Sequence, residues 1–557
     1  MITIAVHLFE PVRPSKSGSI GKFIPASPLA NDIENEIDND NDSHVELASA
    51  GPVEWRFCRA MAGEQRAALR FSPSFLKELS YRMIEENLGA ETRDMIHEYS
   101  KQLEFAWSSA CSGSDSPAWA INGLVDHLRG QDIACEAQHE VSAELDARKR
   151  EFIMSVHSPK QLYADMFDIC HRAKNLMTDE YEDADPRRSS SIWYIGFSCK
   201  SVSTHNRSRT PFAIRDSSST TGKTYDGVLR IVRMQRPPAV CLENVPGLME
   251  NSQHLIVIED LANLGYITYW TCLNAQTFGL PQPRNRIYFL SWRKDILDEC
   301  CLTPPGLRQF CDEIMQRLQH DHPLMDITDF LVPEDDSIML EERAAMLQRV
   351  AERSCAAQSW PKPRRWVAEH AQVATVRDSR SRNPTWSFPE YPAIGERERS
   401  LLRVNNVKIP ETSRRIIDLS QSKMTVSSEG CSPTITPKGI FYVAWLVRLL
   451  RGYEAMALQG MFLTEETKLR FSDKPILQDL AGNAFATPCV LSITILHMAV
   501  MGLRHRRLEE IAAQNADAGA AQNTDAGAAT ARGTRELLGL PSDTESEIDF
   551  VSVLGRQ

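Results

Sequence analysis

The chain of 557 residues contains no C-x-x-C pair; its 13 cysteines are scattered singly apart from Cys300-Cys301. That spacing offers neither a zinc-finger ligand set nor a dithiol redox site, so no metal is expected and reduced intracellular thiols are the expected state. No unbroken apolar run reaches the roughly 18 residues that a membrane span needs, so no membrane is expected as a partner. The opening stretch MITIAVHLFEPVRPSKSG lacks the basic first region and longer apolar core of a secretory signal. An excess of positive charge is missing too: 62 Lys and Arg stand against 74 Asp and Glu, for a net charge of −12. A protein of that sign does not coat nucleic acid indiscriminately, although an acidic body can still carry a basic cleft. With 42% hydrophobic and 24% charged residues the composition is ordinary and globular, so length alone bounds the architecture. It allows one large domain with insertions, or about two to four ordinary ones.

Residues 31–50 carry acids from Asp32 to Glu46 and no Lys or Arg, so 1–53 is expected to be an acidic, largely disordered segment. A helical extension follows over 54–102, with helices expected near 72–87 and 91–103. From 103 the pattern becomes an alternation. LEFAWSSA reads as a strand, and Ser116-Pro117 then supplies an N-cap and first helical residue. Ile121, Leu124, Val125 and Leu128 form one apolar helical face, and Tyr225, Val228, Leu229 and Val232 repeat that spacing. HEVSAE, SIWYIGF, AVCLE, YITYWTCL and RIYFLSW are further strand candidates. Strands alternating with helices predict an α/β fold, a parallel sheet with helices on both faces, over 103–295. The alternation stops in the Pro-, Arg- and Trp-rich stretch 296–425 and regular structure resumes over 426–507. Residues 508–557, with the repeat QNADAGAA/QNTDAGAA and an acidic end, are expected to be a disordered low-complexity tail. Its last residues, PSDTESEIDFVSVLGRQ, are a candidate docking peptide for a protein partner, the plain disordered tail being the blander reading.

Three segments carry chemistry. GFSCKSVS at 196–203 puts Cys199 just after a buried strand, where open α/β sheets hold their ligands. AVCLENVPGLM at 239–249 ends a second strand in Glu243 and Asn244, and that carboxylate can reach the same crevice. FGLPQPRNRIYFLS at 278–291 alternates Gln282, Arg284 and Arg286, which face one way in an extended segment. Two arginines leading into an apolar strand call for an anionic partner. On the other side, SACSGSDSP at 109–117 offers Cys111 and Gly113 in a turn where backbone can approach a ligand closely. An acid at the end of the following strand would be Glu144, or Glu136 if that strand ends earlier. TTGKT at 220–224 invites a phosphate-loop reading, but Ser217 stands where that motif's first glycine belongs.

This ordered set resembles the cytosine-5 DNA methyltransferase family, in a divergent, eukaryotic-looking form, over roughly 103–294 and 426–503. Ser198-Cys199 matches its Pro-Cys loop, Glu243-Asn244-Val245 its Glu-Asn-Val, Gln282, Arg284 and Arg286 its Gln-x-Arg-x-Arg, and Gly482-Asn483-Ala484 its final motif. The resemblance implies a Rossmann-like sheet that uses S-adenosylmethionine, with a smaller target recognition region in 296–425. It makes Cys199 the nucleophile, Glu243 and Asn244 its partners, and Arg284 and Arg286 the site cations. Cys111, Gly113, Glu144, Asp165 and Asn483 then hold the cofactor. Arg286, Arg284 and Lys200 are the cations that would favour the thiolate. The substrate implied is cytosine in DNA, with base flipping and a nuclear location. Transfer RNA is the rival substrate, and a noncatalytic DNA-binding homologue the rival class. Serine at 198 and lysine at 200 depart from the family's proline and glutamine. KPRRW (362–366), RDSRSR (377–382) and the nearby tryptophans Trp360, Trp366 and Trp386 are candidate nucleic-acid contacts, as are Arg207 and Arg209.

Overall fold

The computed structural model describes residues 69–341 and 413–537, apart from 102–103, 183–189, 204–211, 421–424, 447 and 472–474, together with Ala344 and Glu398. All of them lie within one compact unit, Glu64–Gln557. The acidic segment 1–53, the KPRRW and RDSRSR clusters, Arg207 and Arg209, and the last twenty residues lie outside the described residues.

Seven strands form the central sheet: β1 (Glu104–Ala110), β2 (Glu136–Ala143), β3 (Gln161–Tyr163), β4 (Ile192–Gly196), β5 (Ala239–Asn244), β6 (Tyr266–Asn274) and β7 (Asn285–Arg293). Their order across the sheet is β3-β2-β1-β4-β5-β7-β6. The first five pair in parallel, through crossovers that carry helices such as Pro117–Arg129 and Thr220–Gln235. β7 departs from the expected all-parallel arrangement, running antiparallel to both β5 and β6. The connection 275–284 is too short for the dozen or so residues that a parallel crossover needs, so the chain folds straight back.

Successive residues of the central strands point to opposite faces and feed two apolar layers. Ile192, Tyr194, Leu290 and Trp292 pack with helices Pro117–Arg129, Pro304–Leu318 and Thr487–Leu537. Trp193, Ile195, Val240, Leu242 and Phe289 pack with helices Thr220–Gln235 and Gln253–Asn263. The helix that begins at Thr487 is long and apolar enough to cross a membrane, yet 89% of its most apolar window is buried inside the fold. Its polar groups are tied to the sheet: the hydroxyls of Tyr194 and Thr494 lie 2.7 Å apart, and Trp292 Nε1 donates to His497 Nδ1 at 3.2 Å. Val490, Leu491, Ile493, Ile495 and Leu496 are fully buried there. Each contributes about 1.5–3 kcal/mol by burial, which makes this a core helix.

Three expected boundaries shift. The core does not stop at 295: Leu307, Ile314, Leu318, Ile327 and Phe330 belong to the first apolar layer. A small antiparallel sheet spans 425, with Ile416–Asp418 pairing with both Thr425–Val426 and Phe441–Val443. The tail is helical well past 507, because Thr487–Leu537 runs on through the repeat. Alanine, the best helix former, recurs often enough in that repeat to sustain the helix.

Candidate active site

β4 and β5 are neighbours in parallel register, with Gly196 opposite Glu243. The loop that leaves β4 therefore starts beside the Glu243 carboxylate. Gly196 has to be glycine, since a Cβ there would sit 2.6 Å from the Phe485 ring. Cys199 follows in a tight turn whose carbonyl accepts from the amides of Val202 and Ser203 at 3.1 and 2.9 Å. Asn244, the last residue of β5, donates from Nδ2 to the Phe197 carbonyl at 3.0 Å and accepts the Val245 amide at 2.8 Å. One side chain thus ties the Glu243 strand to the cysteine loop. Arg286, near the start of β7, donates from Nε to Glu243 Oε1 at 3.0 Å.

Electrostatics reverse one expectation. Burial pushes the half-buried Cys199 thiol up, and the Glu243 charge adds to that; Arg286 and Arg284 pull the other way without overcoming it. Burial also raises the Glu243 carboxyl, against the pull of Arg286 and Arg284. The pocket resists two negative charges at once, so protonation of one of the pair is favoured. The cations are present, but the thiol at rest is not pre-ionised.

Gln282 and Arg284 do not share the role of Arg286. Gln282 is fully buried; it donates to the Leu458 carbonyl at 2.8 Å and accepts the Ile435 amide at 2.9 Å. Arg284, 2% exposed, donates to the carbonyls of Ile435, Gly482 and Ala484. These two residues fasten the returning C-terminal segment onto the sheet, and only Arg286 meets Glu243. Gly482 belongs to the same fastening, because a Cβ there would lie 2.0 Å from the Pro437 nitrogen. Asn483 is exposed and gives its amide to Asp479, at 2.9 Å to the carbonyl and 3.2 Å to the carboxylate. Asp479 in turn pairs with Lys149 at 2.8 Å.

The cofactor-side residues gather at the ends of β1, β2 and β3. Cys111 and Gly113 both adopt positive φ, 53° and 56°. A Cβ on Gly113 would meet nothing within 4 Å, so this turn borders open space. Glu144, just past β2, accepts the Gly113 amide at 2.8 Å through Oε2 and the Asp146 amide at 2.9 Å through Oε1. Glu136 starts β2 and sits at the strand's opposite end. Asp165 accepts the Phe167 amide at 3.1 Å, capping the short turn Met166–Cys170. Cys111 Sγ lies 3.7 Å from Met166 Sδ, and its thiol is pushed up to about 12 by burial, then by Glu144 and Asp165. Ser116 does not cap the helix it precedes; its hydroxyl accepts the Phe485 amide at 3.2 Å.

A family model for C-5 cytosine-specific DNA methylases matches residues 161–494. The chain belongs to that family. Among relatives of this chain, the "DNA (cytosine-5-)-methyltransferase DMT5" of Cryptococcus neoformans var. grubii serotype A is 25% identical over 71% of the chain, and the type II methyltransferase M.NgoBV of Neisseria gonorrhoeae is 28% identical over 33% of the chain and 41% of its own length. The chain spans only 17% of the length of the Cryptococcus protein. The solved Entamoeba histolytica methyltransferase EhMeth aligns at a TM-score of 0.39 and 12% identity, covering 71% of this chain and 98% of that chain.

Sequence reasoning did not single out several residues that build the site. Thr221 and Thr224, within TTGKT, accept the amides of Ser201 and Ser198 at 3.0 Å each. Asp115, fully buried beside the Gly113 turn, accepts from the Ser142 hydroxyl and is pushed up to about 7 by burial.

Proposed function

We propose that this chain transfers a methyl group from S-adenosylmethionine to carbon 5 of cytosine in DNA, with Cys199 as nucleophile. The observation that carries the reading is the Gly196–Glu243 register, with Asn244 tying the two strand ends together and Arg286 closing on Glu243. Carbon 5 of cytosine is a weak nucleophile; addition of sulfur at carbon 6 makes the ring an enamine and carbon 5 reactive. The retained proton fits that chemistry. Passing it from the Cys199 thiol to Glu243 changes no net charge and leaves a thiolate beside Arg286. Glu243 then delivers the proton to ring nitrogen 3 as the sulfur adds, which keeps negative charge from building on the ring. Asn244 holds the loop throughout by its bond to Phe197. Once carbon 5 carries the methyl group, its proton leaves to water, the carbon–sulfur bond breaks to release the Cys199 thiolate, and the proton on ring nitrogen 3 returns through Glu243 to the sulfur.

The turn at Gly113 fits S-adenosylmethionine: it has room beside a glycine, and Glu144 and Asp165 supply carboxylate acceptors for ribose hydroxyls and an adenine amino group. When bound, the cofactor supplies an electrophilic methyl group. Cys111, Gly113, Glu144 and Asp165 hold and orient it, with Asn483 contributing through Asp479. In duplex DNA the target base has to leave the stack to reach Cys199. A DNA substrate implies a nuclear location, and contacts to it are assigned to the basic and aromatic part of 296–425.

The test is transfer of labelled methyl from S-adenosylmethionine to duplex DNA or to transfer RNA, comparing the natural chain with Cys199→Ser. Label on DNA that disappears in the variant is expected. Label on RNA alone would replace the substrate, and binding without transfer to either would make the chain a noncatalytic homologue.

A further inference from the structure

The TTGKT string sits at the start of helix Thr220–Gln235, directly beneath the nucleophile loop, and each of three residues in it has a local physical role. Thr221 is fully buried and its hydroxyl accepts the Ser201 amide at 3.0 Å. Gly222 lets the helix start pass close to the preceding turn, where a Cβ would come within 2.0 Å of the Asp216 carbonyl oxygen. Thr224 accepts the Ser198 amide at 3.0 Å, while its own hydroxyl proton goes to the carbonyl of Thr220 or Thr221, 3.0 Å from each. The two amides bracket Cys199, one residue before it and two after.

We propose that Thr221 and Thr224 are positioning residues for the nucleophile: two hydroxyls on one helix turn hold the backbone on both sides of Cys199. The inference rests on Cys199 being the attacking group. Serine at 198 is what makes Thr224 necessary. A serine carries a backbone N–H that requires an acceptor and leaves φ free, whereas a proline has no N–H and a fixed φ. Ser198 is not among the residues with positive φ, so a proline ring is not excluded there on that ground. Helix and proline are therefore alternative ways to stiffen the same position, and this chain uses the helix.

That equivalence gives a test that a merely structural role would not pass. The full chain is prepared as Thr224→Val, Thr221→Val, Ser198→Pro/Thr224→Val and Ser198→Pro/Thr221→Val. Misplacing a reacting atom by about 1 Å slows a step by up to roughly 100-fold, so Thr224→Val is expected to lower kcat by about 10- to 100-fold. KM for DNA and for S-adenosylmethionine should stay within about twofold, since neither contact is touched. Ser198→Pro should restore most of kcat to Thr224→Val and none to Thr221→Val, whose unpaired amide is on Ser201. A wild-type kcat in Thr224→Val, no rescue by Ser198→Pro, or equal rescue of both threonine variants overturns the proposal. A second readout separates this outcome from failure of the methyltransferase reading: the rate of iodoacetamide labelling of the Cys199 peptide, followed against pH by mass spectrometry. Thr224→Val should move that profile, and Ser198→Pro should return it, even if no methyl group is transferred. An unmoved profile refutes the clamp.

Discussion

Arg284 and Arg286 stand two residues apart, yet the structure assigns them different work, and Arg284→Met separates the two. Arg284 makes three hydrogen bonds to buried carbonyls, those of Ile435, Gly482 and Ala484. Bonds from a charged donor are worth about 1.5–3 kcal/mol each, so the set contributes roughly 5 kcal/mol or more. Methionine fills most of the volume and recovers about 1–2 kcal/mol through apolar burial. A net loss of at most about 3–4 kcal/mol is expected, because burial opposes the charged guanidinium and pulls it down to about 9. Arg286→Met leaves the buried Glu243 carboxyl without its ion-pair partner, but that carboxyl is already raised by burial and can take up a proton, so a smaller loss than for Arg284→Met is expected. The assay is urea unfolding of both variants by tryptophan fluorescence, with limited proteolysis to find where cleavage begins. Arg284→Met should unfold at clearly lower urea and be cut first within 435–484, while Arg286→Met should unfold nearer the natural midpoint, show no early cleavage within 435–484 and lose methyl transfer. If Arg284→Met unfolds where the natural chain does, the assigned fastening is wrong.

Two further outcomes follow from the same geometry. Glu243→Gln should reduce methyl transfer by about 10²- to 10⁴-fold, the range for loss of a general acid. The same change removes the charge that helps hold the Cys199 thiol up, so iodoacetamide labelling of Cys199 should begin at lower pH, and a shift to higher pH would contradict the proton-sharing account. Asp115 stands at about 7 in the fold, above its ordinary value of 3.8. A raised carboxyl stabilises the fold fully below pH ~4 and loses that contribution as pH rises through ~7. Asp115→Asn should therefore raise the unfolding midpoint relative to the natural chain at pH 8 and give no such gain at pH 4, as read by thermal unfolding in matched buffers.

Most of the sheet was legible because its strands are short apolar runs bounded by turns, and AVCLE and RIYFLSW map almost directly onto β5 and β7. The reversal of β7 was legible in principle from the short link 275–284. The different roles of Arg284 and Arg286 were not. Alternation along a strand predicts a shared face, but β7 begins only at Asn285, so Gln282 and Arg284 belong to the preceding turn, where period two has no force. The choice between Glu136 and Glu144 needed the strand's end, which apolar patterning leaves uncertain by a few residues. The threonines of TTGKT escaped for another reason: their partners lie 20 and 26 residues away, and hydroxyl-to-amide bonds over that separation leave no periodic trace. Segment 508–537 was misjudged because low complexity was equated with disorder, although the repeat is rich in alanine.

The fastening by Gln282 and Arg284 bears on how the protein is made. Their acceptors, at 435, 458, 482 and 484, leave the ribosome some 150 to 200 residues after the arginine itself. Until then the growing chain carries a guanidinium intended for the interior with nothing to receive it. The cysteine and its carboxylate are already synthesised by that time, but β7 is not yet clasped, so under the proposed reaction the site is complete only once the final segment docks. A chain cut short between 293 and 484 would hold the Cys199 loop and all seven strands but lack some or all of the carbonyls that receive Gln282 and Arg284.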